Sequence, residues 1–377
     1  MKIVVTSGGT AGHIYPALAV AQALRAAGHE LFFAGSTHGQ EVALVAQEGI
    51  SYKGFESKGF NRSKPASLPA FVWHTQRSTT LAKKWLGEVK PDAVVGFGGF
   101  ASVPVCRAAL KKGLPVLIHE QNSAAGWANR FLARLRVGAI ALTYEQARKQ
   151  LTFRPETLVE LTGNPVRSSL LECAEPEARA LARTSFRSAC NIPANACVLL
   201  VFGGSQGARS INEAVVTQAS SILAQPNTHV VHLTGPKQFD AVCSQLAQTL
   251  NEQQQKRWHA IDYCTQMGEA FAASDVVLAR AGAGSLAEIA VFGIPALLVP
   301  YPYATDDHQT ANARSLVEAG AARCVIDADL SSPVFAETLI ELLENETLRT
   351  SMTQAASSSD AAGATNRIIE LLYKIAK

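Results

Sequence analysis

The residues in this chain that could do chemistry gather where glycines interrupt apolar runs. Four turns stand out: Ser7-Gly8-Gly9-Thr10-Ala11-Gly12-His13, Gly96-Phe97-Gly98-Gly99-Phe100, Phe202-Gly203-Gly204-Ser205-Gln206-Gly207 and Arg280-Ala281-Gly282-Ala283-Gly284-Ser285. Glycine lets a backbone come close to a ligand and point N–H groups into the gap. A helix starting there adds a partial positive charge, which suits phosphate. Any one such turn is equally well explained by tight packing. The first and third share the pattern Gly-Gly-x-x-Gly, which packing alone gives no reason for.

Polar side chains flank these turns. His13 follows the first turn and precedes Pro16, so it belongs to a first helical turn. A helix start disfavours imidazolium, and a neutral imidazole can take a proton from a hydroxyl. Helix capping is its plainer role. His119-Glu120-Gln121-Asn122 ends an apolar run, either facing the same ligand or forming a strand-end hydrogen-bond cluster. Glu288 can accept two hydrogen bonds from a diol or complement a helix dipole. Arg167 and Arg280 suit a phosphate or a carboxylate partner. Asp306-Asp307-His308-Gln309 reads better as a helix cap than as a metal site, because neighbouring side chains at a helix start diverge.

A dinucleotide reading fits less well. Gly96-x-Gly98-x-x-Ala101 and Gly282-x-Gly284-x-x-Ala287 match its fingerprint loosely, and Glu120 stands 120 − 98 = 22 residues after Gly98. Both lack the third glycine, and Pro104 falls in the helix after the second turn. No GxxxxGK[ST] occurs, which argues against a P-loop nucleotidase.

The turns need strands and helices to hold them. Strands are expected at Lys2–Thr6, Glu30–Ala34, Asp92–Gly96, Pro115–His119, Ala139–Thr143 and Leu158–Thr162, then at Val198–Phe202, His229–Leu233, His259–Asp262, Asp275–Ala279, Pro295–Pro300 and Arg323–Ile326. Segments with three- and four-residue apolar spacing lie between them, among them Ala17–Ala27, Val103–Lys111, Ser285–Phe292 and Gln309–Glu318. Continuous Val/Ile/Leu strands joined by helices indicate parallel sheets covered on both faces. The fold class is α/β, doubly wound twice over. The first domain spans 1–163 and the second 164–361. In the tail, 362–377, Ile368, Ile369, Leu371, Leu372 and Ile375 can share a face that packs back on the first domain.

The chain has 377 residues, 47% hydrophobic and 17% charged, which excludes a disordered or collagenous protein. Lys+Arg 34 against Asp+Glu 31 leaves a net charge of +3, too near neutral to imply nucleic acid. Seven cysteines without a CxxC pair suggest reduced thiols, with no zinc or disulfide framework. The apolar start is too short for a signal peptide. No window approaches the ~20 apolar residues of a spanning helix, so the expectation is a protein that is soluble or sits on a membrane surface. Leu68, Phe71, Val72, Trp73 and Trp85, with Arg62, Lys64, Arg77, Lys83 and Lys84 near, form either a membrane-interface patch or a core helix.

In their order, Gly8-Gly9-Thr10-Ala11-Gly12-His13, Gly96-Phe97-Gly98-Gly99-Phe100, His119-Glu120-Gln121-Asn122, Gly163-Asn164-Pro165-Val166-Arg167, Gly203-Gly204-Ser205-Gln206-Gly207, Arg280 to Glu288 and Asp307-His308-Gln309-Thr310-Ala311-Asn312-Ala313 resemble the MurG family of peripheral-membrane N-acetylglucosaminyltransferases. The resemblance implies a GT-B fold, two Rossmann-like domains facing across a cleft. It implies inverting transfer of GlcNAc from UDP-GlcNAc to lipid I, giving lipid II in peptidoglycan synthesis, with no metal or cofactor. It places the chain at the cytoplasmic face of the cell membrane, on an anionic surface, with cell-wall synthesis and division proteins as partners.

By carry-over, Thr10, Ala11, Gly12, Asn122, Arg167, Ser205, Cys264, Ala283, Gly284, Ser285, Leu286, Ala287, Glu288 and Gln309 match donor-binding positions. Glu288 would hold the ribose hydroxyls. Gly9, Gly98 and Gly99 would receive the acceptor diphosphate, and His13 matches the candidate base. Two positions depart from the family pattern. Ala11 stands where Gly is usual, and Gly284-Ser285 where others carry a bulkier residue and Thr. Related alternatives are a diacylglycerol glucosyltransferase, a UDP-GlcNAc 2-epimerase, or a non-catalytic UDP-sugar-binding scaffold.

Overall fold

Runs of Val, Ile and Leu form two parallel sheets whose central strands are buried on both faces. A computed structural model of the chain describes residues 1–57, 68–204, 206–225, 227–357 and 361–376. The first sheet contains β1 (Lys2–Thr6), β2 (Glu30–Ser36), β3 (Ser51–Phe55), β4 (Ala93–Gly96), β5 (Val116–Glu120), β6 (Ala139–Leu142) and β7 (Leu158–Leu161). Their order is β3-β2-β1-β4-β5-β6-β7. The second contains β8 (Cys197–Phe202), β9 (Thr228–Leu233), β10 (Trp258–Ile261), β11 (Val276–Ala279), β12 (Ala296–Leu298) and β13 (Ala322–Cys324), ordered β10-β9-β8-β11-β12-β13. The chain divides into two units, Met1–Ser168 with Ala361–Lys377, and Ser169–Asp360.

Register explains the double-sided burial. Val4 pairs with Phe32 on one side and Val94 on the other. Val4 joins a core with Leu86 and Val105 on one face of the sheet, while Ile3 and Val5 join Ile14 and Leu18 on the other. Side chains alternate along a strand, so helices must cover both faces. On the second face lies the tail helix Ala364–Ile375, with Ile368, Leu371 and Leu372 buried among those residues. Burying a Leu or Ile side chain contributes roughly 1.5–3 kcal/mol, so the tail is an integral part of the first unit. Arg367 also donates from Nε to the Thr162 carbonyl at 2.9 Å. The Gly163–Arg167 segment thus stays with the first unit, and the division falls after Ser168.

The strand Ser51–Phe55 was not expected. Lys53 and Gly54 interrupt its apolar run, and it lies at a sheet edge with only Phe55 fully buried. Among the described residues, no helix is long and apolar enough to cross a membrane.

Candidate functional site

Each sheet reverses its direction of winding beside its first strand, and the glycine turns sit at those reversals. In the first sheet the reversal separates β1 from β4, which lead into the first and second turns. In the second it separates β8 from β11, which lead into the third and fourth. Open α/β sheets bind ligands at this switch point, outside the carboxyl ends of the strands. A helix follows each turn: Ala11–Ala26, Ser102–Lys111, Arg209–Thr217 and Ala283–Phe292.

In the first unit the two turns are packed together. A Cβ on Gly99 would overlap the Gly8 carbonyl oxygen. Gly9, at φ +102, has open space around its Cβ position, where a ligand can reach the backbone. Thr10 caps the helix that Ala11, Gly12 and His13 begin, and its carbonyl accepts the His13 N–H at 3.0 Å. His13 Nδ1 lies 3.1 Å from Gln121 Oε1. Gly98 faces the same ring, 3.3 Å from Nδ1 to its ideal Cβ position.

The His119–Asn122 segment divides by function. His119 is fully buried, and its Nε2 meets the Gly163 carbonyl at 3.0 Å. Burial drives its pKa down to about 4, so the ring is neutral. Glu120 is buried too; its carboxylate accepts from the Asn122 and Gly126 N–H groups and from Asn129 Nδ2 at 2.9–3.0 Å. These two residues build the strand-end hydrogen-bond cluster, and Glu120 has no reach toward a ribose. Asn122 is half-buried just beyond the cluster, and Arg167 stacks its guanidinium over Tyr15 at 4.6 Å.

In the second unit, a Cβ on Gly207 would overlap the Thr234 carbonyl, which locks the third turn against the residues after β9. Gly204 has φ +90 and open space, matching Gly9 in the first turn. Ser205 lies outside the described residues. Gly282 and Gly284 also border open space. Ala283 and Leu286 turn their side chains into the interior, so only their backbone can meet a ligand. Ser285, Ala287 and Glu288 are half-buried on the same helix, and Cys264 is half-buried with its thiol pKa raised by burial. Gln309 Oε1 accepts from the Ala281 N–H at 3.2 Å and the Tyr301 N–H at 2.9 Å, joining the fourth turn to the segment after β12.

Of the two partners expected for Arg280, a phosphate or a carboxylate, the structure supplies the carboxylate of Asp327. Arg280 is 8% exposed, and its guanidinium donates to Asp327, to Ser210 Oγ and to the Val299 and Pro300 carbonyls. Its donors tie the third turn's helix to the fourth turn. Asp306 and Asp307 form a tight turn at φ +54 and +49, with Asp307 accepting from Thr310 Oγ1 at 2.7 Å. Among the described residues no three His, Cys, Asp or Glu side chains gather as a metal site.

The aromatic segment also divides. Leu68 begins the helix Leu68–Val89. On that helix Val72 and Trp73 are 55% and 58% exposed, and Arg77 lies 5.5 Å over the Trp73 ring. Trp85 corrects the patch reading: it packs against Phe32 and Phe55 on the core side. Phe71 joins a ring cluster with Phe100, Trp127 and Phe131, which the aromatic segment of the sequence did not include. Phe71 meets Trp127 at 5.5 Å and Phe100 at 6.0 Å, and Trp127 stacks on Phe131 at 5.5 Å. Phe100 and Trp127 are each more than a third exposed. Arg62 and Lys64 lie outside the described residues. The spacing of Trp127 and Phe131, one helical turn apart, was the available signal. Asn129, Ser210 and Asp327 carried none.

Comparison with known proteins agrees with this geometry. Residues 3–140 match the glycosyltransferase family 28 N-terminal domain, and residues 198–368 its C-terminal domain. The chain is 38% identical, over the whole of both chains, to the UDP-N-acetylglucosamine–N-acetylmuramyl-(pentapeptide) pyrophosphoryl-undecaprenol N-acetylglucosamine transferase of Halothermothrix orenii. It is 39% identical to the protein of that name in Salinibacter ruber, over 94% of this chain and 91% of that one. Among solved structures it resembles Acinetobacter baumannii MurG, with a TM-score of 0.77 and 27% identity over 99% of each chain. A UDP-GlcNAc 2-epimerase from Neisseria meningitidis shares the fold, with a TM-score of 0.66 at 17% identity over 99% of this chain and all of that one.

Proposed function

We infer the reaction from a premise the comparisons establish: this chain belongs to glycosyltransferase family 28, among the UDP-N-acetylglucosamine–N-acetylmuramyl-(pentapeptide) pyrophosphoryl-undecaprenol N-acetylglucosamine transferases. It transfers GlcNAc from UDP-GlcNAc to lipid I and forms lipid II, on the two Rossmann-like units of the GT-B fold. One observation carries the mechanism: four glycine turns at two switch points, with His13 at the start of the first turn's helix.

The second unit takes the donor. The helix start at Ala283 faces the diphosphate, and its partial positive charge stabilises UDP as it leaves. Fixed donors aimed at developing charge contribute about 2.7–4 kcal/mol each in favourable cases. Glu288 holds the ribose hydroxyls, and Gln309 keeps the fourth turn in register. The first unit takes the acceptor. Gly9, Gly98 and Gly99 present backbone to its diphosphate, and His13 receives the proton of its 4-hydroxyl as that oxygen attacks C1 with inversion. Thr10, Asn122 and Arg167 of this unit add polar contacts to the donor.

The acceptor's lipid requires a surface. Val72, Trp73, Phe100 and Trp127 expose apolar surface around half-buried Phe71, with Arg77 over the Trp73 ring and Arg107 over that of Phe131. Such a patch suits peripheral attachment to an anionic membrane at the cytoplasmic face.

Incubation with labelled UDP-GlcNAc and a lipid I analogue tests the reaction. Label in a disaccharide product supports it. Epimerisation of UDP-GlcNAc without acceptor, or donor binding with no transfer, overturns it.

A further inference from the structure

His13 is held by an element 108 residues away in the chain. Gln121, directly after β5, is 1% exposed, and its Nε2 donates to the Phe97 carbonyl at 2.8 Å. A carbonyl only accepts, so the amide has one workable orientation: its NH2 toward Phe97 and its Oε1 toward His13. The flipped amide would set two carbonyl oxygens against each other and two N–H donors against the ring. Oε1 in turn can only accept, so in the neutral ring the proton facing it sits on Nδ1.

We propose that Gln121 is a positioning residue that fixes neutral His13 as the Nδ1–H tautomer and presents Nε2 as the proton-accepting nitrogen. The proposal rests on the reading of His13 as the base. In the step, the acceptor's O–H bond breaks and its proton goes to Nε2. The oxygen's electron pair forms the new bond to C1, and the C1–O bond to the diphosphate breaks, with UDP keeping its pair. His13 becomes an imidazolium that still donates from Nδ1 to Gln121. An amide orients the ring without adding charge, which leaves His13 neutral before the step. A carboxylate in its place would favour the charged form.

The neighbours leave this role to Gln121. Glu120 spends its carboxylate on Asn122, Gly126 and Asn129. His119 faces the Gly163 carbonyl and is kept neutral by burial. Gly98 closes one side of the His13 ring, so the ring cannot turn to another acceptor there.

Nitrogen NMR of the full-length protein with labelled histidine, the His13 signals assigned by their loss in His13→Gln, reads the tautomer without perturbing Gln121. Protonated Nδ1 with bare Nε2 is expected; protonated Nε2 overturns the proposal. Gln121→Met should lower kcat about tenfold or more, leave the KM for UDP-GlcNAc within about twofold, and mix the His13 tautomers. Gln121→Glu keeps an oxygen facing Nδ1 but favours the charged ring, so its kcat should fall at neutral pH and recover as pH rises, while kcat unchanged from wild type across the pH range would overturn the proposal. Wild-type kcat in Gln121→Met, or an unchanged tautomer, overturns the proposal. Full activity in His13→Ala would instead overturn the reading of His13 as base, whatever the tautomer.

Discussion

The second glycine turn rests on the first: Gly99 lies so close over Gly8 that a Cβ on Gly99 would overlap the Gly8 carbonyl oxygen. Gly99 also has φ +74, in the left-handed region. Gly99→Ala therefore meets both a clash and backbone strain, about 3 kcal/mol together. Gly9→Ala, at φ +102 with open space, meets strain alone, about 1–2 kcal/mol. Thermal unfolding should rank them in that order, and both should raise the KM for the lipid acceptor. Equal stability would contradict the contact between the turns.

Asp327 and Arg280 form an ion pair at 2.5 Å, with side chains 20% and 10% exposed. Removing one partner leaves the other charge poorly solvated, which costs about 3 kcal/mol. Asp327→Asn should lower the stability of the second unit and raise the KM for UDP-GlcNAc, because Arg280 braces both of its glycine turns. Denaturant unfolding and donor titration check this; an unchanged donor KM would contradict the bracing role.

Three buried histidines make the fold sensitive to acid. Burial lowers His119 and His229 to about 4 and His232 to about 3. The unfolded chain holds its histidine protons from about pH 6.5 downward, and the folded chain refuses them until about pH 4. Stability is thus full above about 6.5 and falls as pH drops toward 4, by at most about 1.4 kcal/mol per unit for each group. The urea midpoint should be lower at pH 5 than at pH 7. An unchanged midpoint would contradict the neutral burial of these rings.

Val72→Asp combined with Trp73→Asp, both at exposed positions, should abolish binding to anionic vesicles in a sedimentation assay, with Tm little changed. Unaltered vesicle binding would return this part of the helix to a purely structural role. Trp85→Ala should act differently. It removes a ring packed on Phe32 and Phe55, so it should cost about 3 kcal/mol of stability and leave membrane binding intact.

What the sequence made legible follows from what is local. Strands such as β1, β4 and β8 read directly because both faces are buried and the apolar run is unbroken. The glycine turns read equally well, since tight geometry is encoded within a few residues. β3 did not, because an edge strand tolerates Lys53 and Gly54. For Arg280 the sequence leaves phosphate and carboxylate open as partners, because Ser210 and Asp327, which settle the choice, stand 70 and 47 residues away. Trp85 and Trp73 share one helix, and only tertiary packing tells the ring set against the core from the exposed one.

The rate of transfer by His13→Ala tests the account most directly. Loss of a positioned base should lower kcat about 100- to 10,000-fold while the KM for UDP-GlcNAc stays within a few-fold. A kcat equal to that of the unaltered protein would contradict it.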